Sequence, residues 1–150
     1  PALDLMLFDL PAVAARARDR LAGLGLGRVR VHGGDFQRQP LPRGADVISL
    51  VRIVHDHDDE VVAALLRAVH AALPPDGRLL LAEPMAGTPG ARGMGDAYFG
   101  FYLLAMRSGR PRTPQRLADL LHGAGFAAVR RVPTRQPLLA GVIEASVKSG

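Results

Sequence analysis

The chain has 150 residues, of which 48% are hydrophobic, and this is enough to build the core of one domain. It contains no cysteine, which excludes disulfides, cysteine-ligated zinc and cysteine nucleophiles. The net charge is +5, and residues 107–150 alone carry eight basic and two acidic side chains. This basic segment favours contact with an anionic membrane surface or with another anionic partner. No nucleic-acid-binding motif is present, so a nucleic-acid partner is not expected.

Apolar periodicity and turn residues predict that strands and helices alternate along the chain. Strands are predicted at 5–10, 28–36, 46–54, 78–84, 126–134 and 139–147, and helices at 11–25, 58–73, 96–109 and 113–126. The helix at 113–126 begins after an N-capping Thr113. This order predicts an α/β fold with a mostly parallel sheet. Ligands of such sheets bind beyond the carboxyl ends of the strands.

Acidic residues stand at several of these strand ends. Asp9 closes the first strand, where a carboxylate can accept hydrogen bonds from both hydroxyls of a ribose. Asp35 and Phe36 follow the second strand, where an acid can accept from an exocyclic amine and a ring can cover adenine. Their occurrence on consecutive strands favours an adenosine site. Glu83, and also the residues that follow Val54, come directly after a predicted strand in the same way.

Two further motifs need an interpretation: a cluster of potential metal ligands and a glycine-rich stretch. The spacing of His55, His57 and Asp59 is similar to the metal-binding motif of metallo-β-lactamase-like hydrolases, although Glu60 stands where that motif has its last histidine. The glycine-rich stretch at 23–27 follows a helix and precedes a strand. A dinucleotide-binding loop needs the opposite order, so this stretch is predicted to be a turn.

The ordered motifs FDLP (8–11), GDF (34–36), HDHDDE (55–60), LPPDGRLLLAEP (73–84) and LHGAGF (121–126) resemble those of the caffeate/acetylserotonin-type O-methyltransferases. The stretches DVISLVRIVHDH, YFGFYLLAM and VIEASV further resemble the bacterial carotenoid branch, the hydroxyneurosporene or demethylspheroidene O-methyltransferases. The resemblance implies a Rossmann-like class I methyltransferase sheet, mostly parallel with a C-terminal antiparallel strand, and S-adenosylmethionine (SAM) as the cofactor.

The resemblance also implies roles for particular residues. His55 is expected to be the catalytic base, and Glu83 to hold it in one orientation. Asp56 is expected to contact substrate. The residues expected to bind the cofactor are Asp9, Asp35 and Phe36. The aromatic and apolar residues of the helix at 96–109 are expected to form either core or a dimer interface, or to line the substrate pocket. The residues expected to contact substrate on this helix are Tyr98, Tyr102 and Met106.

The sequence departs from the family pattern in several places. Pro111 stands where a second orienting acid is expected, Val51 where Lys or Ser is frequent, and His57 where an aromatic residue is usual. The family's first strand, its Gly-rich loop and its dimerisation domain do not occur in residues 1–150. We therefore expect the C-terminal part of a catalytic domain, with a gap in the sheet between the strands at 5–10 and 46–54, and no activity of this part alone.

The expected function is methyl transfer from SAM to a hydroxyl of a lipophilic small molecule, with a hydroxylated carotenoid as the substrate. The expected enzyme is a cytoplasmic homodimer, formed through the dimerisation domain, with peripheral membrane contact. The alternatives are an aromatic or polyketide substrate, a non-catalytic binding module, and a metallo-hydrolase that uses the cluster at 55–59.

Overall fold

The computed structural model describes residues 3–88, 109–136 and 140–148, in which strands alternate with helices. The strands are β1 (Met6–Asp9), β2 (Arg30–Gly33), β3 (Val47–Val51), β4 (Arg78–Glu83), β5 (Ala128–Val132) and β6 (Gly141–Ser146). The helices are α1 (Pro11–Gly23), α2 (Asp59–Ala72) and α3 (Pro114–Gly123), and a short 3-10 turn covers Val54–Asp56. The predicted helix at 96–109 lies, apart from its last residue, outside the described residues.

The strands form two sheets that confirm the α/β prediction. Strands β1 and β2 pair in parallel, and the second sheet has the order β3-β4-β6-β5. In the second sheet β3 and β4 are parallel, whereas β6 is antiparallel to both of its neighbours. The predicted C-terminal antiparallel strand is therefore present. In the described part of the chain no strand lies between β1 and β3, where the sequence predicts a gap.

Strand β3 is shorter than predicted. The apolar run suggests a strand through residue 54, but β3 ends at Val51 because Arg52 adopts a left-handed conformation with φ 55°. The chain then turns, and the 3-10 turn buries Val54 and His55. The run also predicts burial on both faces, yet Val47 and Val51 are 51% and 58% exposed. Among the described residues β3 has a neighbour on one edge only, which accounts for this exposure.

The core lies between the second sheet and the helices α2 and α3. It is formed by apolar residues of both helices, of β4 and β6, and by Phe126. Side chains alternate along β4, so that Leu79, Leu81 and Glu83 are buried in succession on one face. This register carries Glu83 to the end of the core. Among residues outside the gaps at 89–108 and 137–139, no helix is long and apolar enough to cross a membrane.

The helix ends have the cap and turn residues that the sequence predicts. Thr113 caps α3 by accepting a hydrogen bond from the backbone N–H of Arg116 at 3.2 Å, and Pro114 is the first residue of the helix. After α1 the glycine-rich stretch forms a turn, in which Gly25 has φ 71°. This stretch is thus a helix end, as predicted, and not a phosphate-binding loop.

Candidate active site

A buried carboxylate organises the chain between β3 and α2. Glu83 is 2% exposed, and its Oε1 accepts hydrogen bonds from the backbone N–H groups of Ile53 at 2.9 Å and Val54 at 2.8 Å. Its Oε2 lies 2.7 Å from Nδ1 of His55 and 3.4 Å from the backbone nitrogen of that residue. The carboxylate therefore fixes both the backbone of the turn and one edge of the imidazole. This is the orienting contact that the sequence predicts.

The His55 imidazole lies between two carboxylates. The residue is 4% exposed, with Nδ1 facing Glu83 and Nε2 lying 3.2 Å from Oδ1 of Asp56. Because a carboxylate can only accept, a proton on Nδ1 is bound by Glu83, and Nε2 likewise faces an acceptor, the carboxylate of Asp56. The Asp56 side chain is 40% exposed. Nε2 of His55 and the partly exposed carboxylate of Asp56 thus lie side by side.

Arg112 contacts the same turn from its other side, a contact that no motif in the sequence predicts. Its side chain is 2% exposed. Its Nη1 donates to the carbonyl oxygen of Val54 at 2.8 Å, and its Nη2 to that of His57 at 2.7 Å. Its Nε donates to Oδ1 of Asp59 at 2.7 Å. In the sequence, Arg112 is a single residue directly before the N-cap of α3. No periodic pattern distinguishes a buried arginine at such a position from a solvent-exposed one.

Asp59 binds two arginines at the start of α2. Arg116 lies 2.7 Å from Oδ2, and Arg112 lies 2.7 Å from Oδ1. The hydrogen bond from Arg116 is the largest influence that holds the pKa of Asp59 below its ordinary value. Burial opposes this shift, and the hydrogen bond from Arg112 supports it. In return, the hydrogen bond to Asp59 raises the pKa of the exposed Arg116.

Gly109 lies in contact with the backbone of the same turn. Its φ is 83°, and a Cβ placed on it would overlap the carbonyl oxygen of His55 and lie 2.6 Å from the carbonyl carbon of Asp56. Its backbone N–H donates to Oδ1 of Asp58 at 3.2 Å. Only glycine tolerates both this conformation and this approach.

The predicted cofactor residues lie at adjacent strand ends. Asp9 pairs in register with Gly33, and its exposed carboxylate accepts from the backbone N–H of Leu10 at 2.7 Å. The backbone N–H of Gly34 donates to the carbonyl oxygen of Asp9 at 2.8 Å, which holds the two strand ends together. Asp35 follows, and its Oδ1 accepts from the backbone N–H of Gln37 at 2.9 Å. This bond fixes the Asp35 carboxylate within the loop that follows β2.

Phe36 joins these strand ends to the turn that carries His55. Its ring meets the imidazole of His57 edge-on, with centroids 5.3 Å apart and planes at 78°. The ring is half-buried and packs on the main core. His57 therefore occupies, as a ring, the place where the family usually has an aromatic residue. The predicted substrate residues Tyr98, Tyr102 and Met106 lie outside the described residues.

The residues at 55–59 do not converge as metal ligands. His57 packs against Phe36, and Asp59 is bound by two arginines. In the described ranges no group of three or more His, Asp or Glu side chains is placed to hold a metal ion. Nothing in the geometry supports the hydrolase alternative.

The chain belongs to the O-methyltransferase domain family, whose sequence model it matches over residues 1–127. It is 48% identical over 146 residues to demethylspheroidene O-methyltransferase of Cereibacter sphaeroides and 47% identical over 145 residues to that of Rhodobacter capsulatus. These matches cover 97% of this chain but only 38% and 36% of the relatives. The crystal structure of human N-acetylserotonin methyltransferase in complex with SAM superposes with a TM-score of 0.83 at 25% identity, covering 97% of this chain and 41% of that one.

Proposed function

We propose that this protein takes part in SAM-dependent O-methylation, with His55 as the general base. The observation that carries the proposal is the buried pair of Glu83 and His55, whose Oε2 and Nδ1 atoms lie 2.7 Å apart. A carboxylate at Nδ1 favours a proton on that nitrogen, and a base needs the tautomer in which Nε2 carries none. The family and the relatives named above supply the reaction type.

The strand ends of the first sheet fit the adenosine part of SAM. We assign the exposed carboxylate of Asp9 to the ribose hydroxyls, and Asp35 and Phe36, which follow the neighbouring strand β2, to the adenine amine and ring. The contact between Phe36 and His57 ties this region to the catalytic turn. When bound, SAM supplies a methyl group on a positively charged sulfur, which an oxygen nucleophile can attack.

The protein's own residues then handle the substrate hydroxyl. Glu83 fixes the imidazole, Nε2 of His55 takes the hydroxyl proton, and Asp56, next to Nε2, helps to position the substrate through another of its groups. An alcohol has a pKa far above that of an imidazolium ion. We therefore infer that the proton is lost during or after methyl transfer, and that positioning of the two reactants supplies much of the rate.

We further propose a hydroxylated carotenoid as the substrate, on the strength of the two demethylspheroidene O-methyltransferases. A smaller aromatic substrate is the second candidate, because a 3-hydroxy-5-methyl-1-naphthoate 3-O-methyltransferase of Streptomyces sahachiroi is 33% identical over 150 residues. Tyr98, Tyr102 and Met106 are proposed to line the pocket for this substrate. The basic residues after 106 would favour work at a membrane surface in the cytoplasm.

We propose that residues 1–150 act as the C-terminal part of a catalytic domain. The support is the coverage, since the two carotenoid relatives are more than twice as long, and the open edges of β1 and β3. A homodimer formed by a further domain completes this proposal. Activity tests therefore belong to the full-length natural protein.

Calorimetry and single-turnover methyl transfer test the proposal. Asp9→Asn should weaken SAM binding about 10-fold, because one of the two carboxylate oxygens that accept from the ribose hydroxyls becomes an NH₂ group. The matched change Asp19→Asn on the exposed face of α1 should leave SAM binding unchanged. His55→Gln should keep SAM affinity and lower the rate of transfer about 10²- to 10⁴-fold. His122→Gln on α3 is its control.

Three results would count against the proposal. The absence of SAM binding would refute the cofactor assignment. Full activity of His55→Gln would remove the base while leaving the cofactor site intact. Transfer to a phenol but not to a hydroxylated carotenoid, offered in detergent micelles, would favour the aromatic substrate.

A further inference from the structure

The turn that carries His55 lies between two buried side chains of opposite charge. Glu83 accepts from the N–H groups of residues 53 and 54. Arg112 donates to the carbonyl oxygens of residues 54 and 57. The donors of the turn thus meet an anion and its acceptors meet a cation, and both charged residues are at most 4% exposed. Two buried charges that are fully hydrogen-bonded hold a backbone far more firmly than neutral contacts do.

We propose that Arg112 is a positioning residue for His55, acting through the carbonyl groups on either side of it. The inference rests on the proposed role of His55 as the base. Arg112 does not touch the imidazole in the contacts described above. It fixes the peptides before and after the histidine, and Glu83 then sets the direction of the ring on that fixed backbone.

The geometry requires an arginine. Its planar guanidinium donates at the same time to Asp59 through Nε, to Val54 through Nη1 and to His57 through Nη2. A lysine ammonium has the same charge but concentrates it on one atom and lacks this fork. It can keep the contact with Asp59 but cannot span both carbonyl groups, which belong to residues three positions apart.

The backbone of Arg112 is tied to the strand that carries Glu83. Met85, two residues beyond Glu83, forms a parallel bridge with Arg112, and the N–H of Ala86 donates to the carbonyl oxygen of Arg112 at 3.0 Å. Gly109 adds the close backbone contact with the turn. The two charges that hold the turn therefore belong to one hydrogen-bonded unit, so that their separation is fixed.

The test compares Arg112→Lys with Arg116→Lys in the full-length protein. Both changes remove a guanidinium from Asp59, but only Arg112 contacts the turn. Arg112→Lys should lower kcat about 10- to 100-fold, because a misplacement of about 1 Å has effects of this size. It should leave the KM and the Kd for SAM within about twofold. Arg116→Lys should change none of these values.

Nitrogen-15 spectra of the histidine rings provide the second readout. The His55 signals, assigned by their loss in His55→Gln, should shift and broaden in Arg112→Lys and stay unchanged in Arg116→Lys. A purely structural role would lower the melting temperature without changing kcat or these signals well below that temperature, and this result would overturn the inference. An equal loss of kcat in Arg116→Lys would also overturn it.

The inference and the proposed function fail in different ways. If the natural protein transfers no methyl group, the function is wrong. If His55→Gln is impaired while Arg112→Lys retains full kcat with unchanged ring signals, only the positioning role is wrong.

Discussion

Replacing Glu83 by glutamine tests the catalytic turn most directly, because the two side chains have the same shape. The carboxylate accepts from two backbone N–H groups through Oε1 and from His55 through Oε2. A glutamine has only one oxygen. If its NH₂ group faced the N–H groups of Ile53 and Val54, one partly buried and one buried donor would be unsatisfied, and the buried one alone costs about 1 to 3 kcal/mol. The oxygen will therefore face the backbone, and the NH₂ group will face the imidazole.

This orientation reverses the hydrogen bond to the ring. Nδ1 of His55 must then accept, so the proton of the neutral imidazole moves to Nε2 and the base loses its lone pair. We expect kcat to fall about 10²- to 10⁴-fold, the range that general base catalysis contributes. The backbone N–H of His55, now opposite a donor, adds about 1 to 3 kcal/mol of destabilisation.

Single-turnover methyl transfer measures the loss, calorimetry shows whether SAM still binds, and nitrogen-15 shifts of the imidazole report the tautomer. Glu144→Gln is the matched control, since this acid lies on the neighbouring strand β6 and pairs with Arg78 and Arg130. The reasoning is refuted if Glu83→Gln retains full kcat, or if kcat falls while the proton stays on Nδ1.

Three further outcomes are expected. Gly109→Ala should displace the 54–56 turn and lower kcat, whereas Gly23→Ala, which has open space around its Cα, should not; activity assays decide. Asp59 has a lowered pKa, so its stabilising charge is fully present above the ordinary value of 3.8 and is lost as the pH falls below it. Urea unfolding should therefore show Asp59→Asn less stable than the natural protein at neutral pH, with a difference that shrinks below that value. Leu121→Ala, at a fully buried site, should cost about 2 to 5 kcal/mol, and Leu24→Ala, at a site 64% exposed, less than about 0.5 kcal/mol in the same experiment.

The sequence predicts where the strand-end residues lie, because each follows an apolar strand directly, whereas their roles stay predictions. Asp9 and Asp35 lie at adjacent strand ends, and Glu83 contacts His55 as expected. Such positions depend on local pattern and on the rule that parallel strands share one carboxyl edge. The end of β3 was placed three residues too late, because the conformation of Arg52 is not encoded by hydrophobic pattern.

The sequence does not reveal that Arg112 holds the turn that carries His55. Arg112 is 57 positions away from it in the chain, and an arginine in a Pro- and Gly-rich segment is indistinguishable by pattern from a solvated one. The resemblance leads one to expect a second acid at Pro111, but the neighbour that contacts the turn is a cation, Arg112. Burial of a charge depends on tertiary partners such as Asp59, and these become visible only when the segments are brought together.

The separation of the two sheets has a consequence for handling this chain. In the described residues β1 and β3 each pair along one edge, and the apolar side chains of Leu5, Val47 and Val51 beside them are 48%, 51% and 58% exposed. Open edges with apolar flanks are templates for strand addition between molecules. Expressed alone, residues 1–150 should self-associate at high concentration, and any assembly that keeps them dispersed must cover both edges.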